Sequence, residues 1–214
     1  MKSNYKLLFI SNAILNLWDK SFFARNFNDW SLIKNSKLTD NGSPYNLAMS
    51  YFFLKKKKKN NEIIDANKLN RLLKFISISI SQDVLNEILN APRISFTFLH
   101  KNTITTQEFL QYIGTVRNEK TKIAVYIWTH KSTGSMYVGS SCNLPRRLIG
   151  YFKGTHAECG KFIPLLKNDG LISFTLQVIP LDNYNVENIE LIIEQYFLLS
   201  SKFNLNTLKV VNKI

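Results

Sequence analysis

Apolar residues fall in blocks whose spacing changes along the chain, and each change predicts an element. Leu7 to Leu17 is apolar but interrupted by Asn12 and Asn16. It falls short of the roughly 20 residues a membrane span needs, lacks a small-residue cleavage site, and predicts an amphipathic core helix. Ile63, Ile64, Leu69, Leu72 and Leu73 recur at helical spacing between Glu62 and Ile76, and Val84, Leu85, Ile88 and Leu89 predict a second short helix. Arg93 to Leu99 alternates as a strand does. Thr106 to Val116 places Phe109, Leu110, Ile113 and Val116 on one helical face behind Thr106, a suitable N-cap. The first half thus reads as mixed and mainly helical, with a turn at Asp40 to Pro44 and an unbroken lysine run, Lys55 to Lys59.

The second half is punctuated more clearly. Ile123 to Thr129 predicts a strand, His130 to Ser135 a glycine-containing turn and Met136 to Ser140 a second strand, together a hairpin. Asn143 can cap a helix running through Arg146, Arg147, Leu148 and Tyr151. A further helix is expected near Gly160 to Asn168, broken or started by Pro164. Phe174, Leu176 and Val178 alternate in a third strand, Val186 to Leu199 is a long apolar helix, and Asn204 to Thr207 forms a closing turn. The order ββααβα predicts a compact α/β domain with a small three-stranded antiparallel sheet flanked by helices. A division follows: a basic, Lys/Asn/aromatic-rich region over residues 1–120 and the α/β domain over 121–214.

Charge adds a partner to this picture. The 214 residues carry 28 Lys plus Arg against 15 Asp plus Glu, a net +13, with +9 of it before residue 121. Such a surface attracts polyanions, so DNA, RNA or an RNA-rich assembly is expected and a membrane is not. Six of the cations are Arg, while Lys, Asn, Ile, Phe and Tyr abound. Those are residues of A+T-rich codons, as in an organelle, a phage or an A+T-rich bacterium. The chain opens without an Arg-rich, Ser-rich presequence, so an organellar protein of this kind would be made inside the organelle. Cys142 and Cys159 form no disulfide framework and no zinc spacing occurs.

Placing the polar residues on these elements makes them converge. Tyr126 and Tyr137 lie on the two arms of one hairpin, where cross-strand neighbours approach to about 5 Å, or about 7 to 8 Å diagonally. Arg147 and Tyr151, four apart, share a helical face. Glu187, Glu190 and Glu194 recur at helical spacing in an apolar helix, so at least one carboxylate must turn inward or over a cleft edge. The spacing alone leaves open which of the three it is. With a hydroxyl-rich loop at Ser140 and Ser141, this set suits a phosphodiester and one divalent cation. His130 reads as a turn residue, and His156 could face the cleft.

The segment Ala124 to Phe152 resembles the signature of the GIY-YIG nucleases, the two motifs reading Ala124-Val125-Tyr126 and Tyr137-Val138-Gly139. The eleven-residue step between the tyrosines, Gly-Ser-Ser after the second motif, and an Asn-Leu-x-x-Arg helix are as in that family, particularly its intron-encoded homing endonucleases. Ile192 to Leu199 resembles the helix carrying the family's metal-binding glutamate, and Lys202 to Lys209 its closing turn. The first motif departs from the pattern in having Ala-Val for Gly-Ile. The resemblance implies an endonuclease that hydrolyses phosphodiesters, with Tyr126 helping to activate the attacking water and Tyr137 its partner. Arg147 would neutralise charge on the phosphoryl oxygens, Tyr151 assist proton transfer, Glu194 hold Mg²⁺ or another divalent cation, with Glu187 and Glu190 left at the surface, and Asn206 close the site. It further implies a mitochondrial, organelle-encoded protein acting on DNA, with specificity drawn from residues 1–120. The other expectation is a retired nuclease that binds RNA, as a splicing helper or ribosome component.

Overall fold

The computed structural model describes residues 46–51, 64–115, 122–157 and 160–211. The helix expected over Leu7 to Leu17, the turn at Asp40 to Pro44, the Lys55 to Lys59 run and Cys159 lie outside them. Residues Ser43–Ile214 form one compact unit.

A helix over residues 46–51 (α1) is followed by α2, Ala66–Leu73, whose Asp65 cap accepts a hydrogen bond from the Lys68 N–H at 2.8 Å. A 3₁₀ turn, Lys74–Ile76, leads to α3, Gln82–Asn90, capped by Ser81. The short strand β1, Ile94–Phe96, and a second 3₁₀ segment, Lys101–Thr105, precede α4, Gln107–Ile113. Thr106 caps α4 as its position predicts, accepting from the Phe109 N–H.

The hairpin follows as β2, Ala124–His130, and β3, Met136–Ser141. Then come α5, Leu144–Lys153, α6, Phe162–Asp169, the 3₁₀ turn Leu171–Ser173, β4, Phe174–Pro180, and α7, Ile189–Leu198. Pro164 neither breaks nor starts α6. It sits in the first turn, where its missing N–H costs no helical hydrogen bond. The last helix begins three residues later than its apolar pattern suggests, behind Asn188 in the left-handed region (φ 51°).

The ββααβα order is as expected, but the antiparallel sheet has four strands, in the order β1-β4-β2-β3. The fourth is β1, from before the expected boundary at residue 120, pairing Ile94 with Val178 and Phe96 with Leu176. That boundary therefore does not separate the sheet from what precedes it. Residues 94–96 could not be assigned to a particular sheet from alternation alone.

The central strand β2 is hydrogen-bonded on both sides and covered on both faces, so nearly every residue of it is buried. Val125 and Ile127 face one core with Val138, Leu69, Ile192 and Ile193. Ala124, Tyr126 and Trp128 face the other with Leu148, Phe152, Phe162 and Phe174. Burying each such side chain contributes on the order of 1.5 to 3 kcal/mol, so these two layers hold the hairpin rigid from both sides. The methyl of Ala124, where the family signature has glycine, lies in this packing at 1% exposure.

Candidate active site

The hairpin register sets the first part of the site. Tyr126 stands opposite Gly139 and Trp128 opposite Tyr137, so both phenols project from one face, diagonally across the ribbon. Gly139 leaves room for the Tyr126 ring to lie across β3: a Cβ there would fall 2.5 Å from the phenol oxygen. The next helix adds Tyr151. Asn143 accepts from the Arg146 N–H at 3.2 Å, Pro145 occupies the first turn, and Gly154 (φ 65°) ends the helix. With α5 anchored by Leu144, Leu148 and Phe152, Tyr151 turns inward and Arg147 stays exposed.

The three phenols form a chain. The Tyr126 and Tyr151 oxygens are 3.0 Å apart, and Tyr151 reaches Tyr137 at 3.5 Å. Tyr126 and Tyr151 are buried, whereas Tyr137 is half-buried and stacked on Phe162 at 4.3 Å between ring centroids. Burial raises the pKa of all three well above the ordinary phenol value, and a neighbouring phenol adds to this in each case, Tyr137 for Tyr126, Tyr151 for Tyr137 and Tyr126 for Tyr151. They are neutral hydrogen-bonding groups across the physiological range. The Arg147 guanidinium is held charged, chiefly by its interaction with the Tyr126 phenol and also with Tyr151, Tyr137 and Glu194.

Glu194 approaches from α7, which packs on the other face. Ser140, alternating with Gly139 on β3, donates to Glu194 Oε2 at 2.5 Å. Because β3 is the edge strand, groups from the two faces can meet around its free side. Glu194 is close enough to raise the pKa of Tyr126 and Tyr137, and Arg147 close enough to lower that of Glu194. Burial nevertheless dominates and lifts the Glu194 carboxyl to about 7, against the Ser140 hydrogen bond and Arg147. Glu190, one turn earlier, contributes to the rise. It is buried rather than at the surface, because it lies four residues before Glu194 on the same helical face; Glu187 precedes the helix and is exposed.

Asn206 clasps the edge. Its Oδ1 accepts from the Val138 N–H at 2.9 Å and its Nδ2 donates to the Val138 carbonyl at 2.8 Å. Asn204 accepts from the Met136 N–H, and the Leu205 N–H donates to the Met136 carbonyl. The closing turn thus acts as a surrogate strand along residues 136–138 and stops short of Ser140. Asn206 positions β3, with both ends of its amide engaged on backbone.

Other residues fall differently from their sequence reading. Ser140 and Ser141 are in β3, not a loop. His130 ends β2 and is buried: its ring bonds Asp169 Oδ2 at 3.0 Å through Nε2 and accepts from the Thr133 N–H at Nδ1, tying the hairpin turn to α6. His156 packs on Tyr151 at 4.1 Å between centroids, with Nε2 3.3 Å from the Arg147 carbonyl. Ser140 as the Glu194 partner and Gly139 as the floor beneath Tyr126 are roles that only strand register shows.

A divalent cation fits this donor set in a limited way. Among the described residues no group of three or more His, Cys, Asp and Glu side chains gathers. A single carboxylate whose burial makes its negative charge unfavourable is nonetheless a ligand that a hard cation satisfies, with solvent and substrate oxygens completing the shell.

Compared with known families, residues 122–205 match the GIY-YIG catalytic domain, a family of nucleases that act on nucleic acid. No curated protein and no solved structure gave a significant match. No described helix is long and apolar enough to cross a membrane.

Proposed function

We propose that the protein is a divalent-cation-dependent DNA endonuclease of homing type, hydrolysing phosphodiester bonds at the edge of β3. The observation that carries this reading is the grouping of Tyr126, Tyr137, Tyr151, Arg147 and Glu194 around one sheet edge, inside the segment that matches the nuclease domain. Arg147, exposed and permanently charged, is suited to meet negative charge as it builds on the phosphoryl oxygens. The neutral phenols hold and orient a water at the half-buried end of their chain, Tyr137, rather than serving as phenolate bases. Glu194 would hold Mg²⁺, which when bound supplies positive charge to the scissile phosphate and acidifies water. Ser140 keeps that carboxylate oriented, and Asn206 keeps β3 in register beneath it. The A+T-rich residue usage supports an organellar intron as the source and the mitochondrion as the compartment.

The test is cleavage of supercoiled plasmid by the full chain with Mg²⁺ and with EDTA. Cleavage that depends on the cation and falls by about 10²-fold or more in Arg147→Ala and Glu194→Ala supports the reading, the size expected for removing one group that meets transition-state charge. An inactive wild type, or variants as active as wild type, refutes it.

A further inference from the structure

Beside the proposed site lies a concavity of about 530 Å³, built where the chain after β1 meets α5, α6 and the 3₁₀ turn that follows α6. Its apolar surface comes from Leu99, Ile163 and Leu166, and its rim carries Lys101, Lys153 and Lys167. His100 and His156 add imidazoles, and no acidic side chain lines it. Gly154 and Gly170 open stretches of wall where backbone faces the space, while the His156 ring lies over Gly150. Next to it Phe98 is 82% exposed and Ile172 is 66% exposed. Lys131 fastens the two together: its ammonium donates to the Ile172 carbonyl at 2.7 Å and sits 5.5 Å from the centroid of the Phe98 ring.

A single exposed aromatic needs no explanation. One fixed by a cation at the mouth of an apolar cleft with a wholly basic rim does. Apolar surface for bases, lysines for phosphates and an aromatic face for stacking are together the features by which unpaired nucleic acid is bound. The volume lies in the range that holds one small ligand, so it suits a splayed nucleotide and not the stacked pairs of a duplex. The cleft also adjoins the proposed site through two shared residues. Tyr151 lines it while its hydroxyl bonds Tyr126, and His156 lines it while its ring covers Tyr151.

We propose that this cleft binds an unpaired stretch of the DNA substrate, one base stacking on Phe98 and the adjoining phosphates meeting Lys101 and Lys153. The inference rests on the nuclease reading for the identity of the polymer. It adds a preference for substrates with a single-stranded flank, created by residues 98–101, which precede the matched domain.

Fluorescence anisotropy on the full chain in EDTA, with labelled oligothymidylate and a labelled blunt duplex, tests it. Phe98→Ala and the pair Lys101→Ala with Lys153→Ala are expected to weaken oligothymidylate binding by about 5- to 100-fold, the range for stacking one base on an aromatic ring. Duplex binding should change by less than about threefold, and Phe98→Trp should restore the oligothymidylate affinity. Equal losses for both ligands, no loss for either, or tighter binding of oligouridylate than oligothymidylate by the wild type would overturn it. Phe98 is exposed, so Phe98→Ala removes little packing, and an unchanged melting curve checks this. A protein that cleaves duplex DNA but binds oligothymidylate independently of Phe98 refutes this inference alone. A protein that neither binds nor cuts DNA refutes the nuclease reading as well.

Discussion

Replacing Gly139 by alanine isolates the packing on which the phenol chain depends. The added Cβ would lie 2.5 Å from the Tyr126 phenol oxygen, 2.6 Å from Cζ and 2.9 Å from Cε2. Gly139 does not occupy the left-handed region, so its backbone accepts alanine without strain. The whole penalty falls on the ring, which is 1% exposed, set edge-on to Tyr151 at 5.8 Å between centroids and bonded to its hydroxyl. Overpacking of this kind costs about 1 to 3 kcal/mol. Alanine also returns about 0.5 to 1 kcal/mol relative to glycine in a strand. The net expectation is a loss of up to about 2.5 kcal/mol, a lowering of Tm by up to about 10 °C for a unit of this size. Displacing Tyr126 by about 1 Å should lower cleavage far more, by about 10²-fold. Urea denaturation and plasmid cleavage measure the two effects. In Tyr126→Ala the obstructing ring is gone, so adding Gly139→Ala to that background should cost nothing further, a coupling visible in a double-mutant cycle. Gly139→Ala as stable and as active as wild type would refute the account.

Glu194 predicts a pH dependence in metal-free protein. Burial puts its folded pKa near 7 against an ordinary value of 4.5, so the folded state binds more protons between these values and stability falls as pH rises from about 4.5 to about 7. Glu194→Gln should flatten that decline, which is at most about 3 kcal/mol, in urea titrations across the window. Asn206→Ala removes both hydrogen bonds to Val138 and should cost about 1 to 3 kcal/mol, read as a lowered denaturation midpoint. Asp169→Ala leaves the buried His130 ring without its Nε2 partner. It should cost about 1 to 2 kcal/mol and speed amide hydrogen exchange in the hairpin turn, with cleavage retained.

How much of this was legible follows from which interactions are local. Caps and periodicity act within a few residues, so Thr106, Asn143 and the two hairpin arms were readable in place. The tyrosines were readable as a pair because they lie on adjacent arms of one hairpin; that they share a face follows from the register the turn sets, Tyr126 opposite Gly139 and Trp128 opposite Tyr137. β1 was visible as a strand but not as a member of this sheet, since its partner Val178 lies 84 positions away from Ile94 and nothing local specifies it. Glu190 was misplaced because its i, i+4 relation to Glu194 says only that the two share a face, not that packing covers that face one turn earlier. Ser140 was seen as a hydroxyl, but its engagement with Glu194 required knowing that β3 is the edge and that α7 packs against it.

The phenol chain constrains the chemistry further than any single residue does. Each ring brings one proton, so when Tyr151 donates to Tyr137 it can only accept from Tyr126, and Tyr126 then has no proton left for another acceptor. In that direction Tyr137 keeps its own proton and is the free donor at the half-buried end; reversing the chain commits that proton to Tyr151 and leaves Tyr137 only an acceptor. Two directions of one hydrogen-bond chain thus present either a donor or an acceptor to whatever meets Tyr137, with no ionised phenol in either. Burial raises the cost of charging any of the three, so the fold keeps its fixed charge at the exposed Arg147 and leaves the phenols neutral. In such an arrangement Tyr126→Phe and Tyr151→Phe should each interrupt the same chain. The double variant should then lose no more cleavage than the worse single one, and additive losses would show that the phenols act separately.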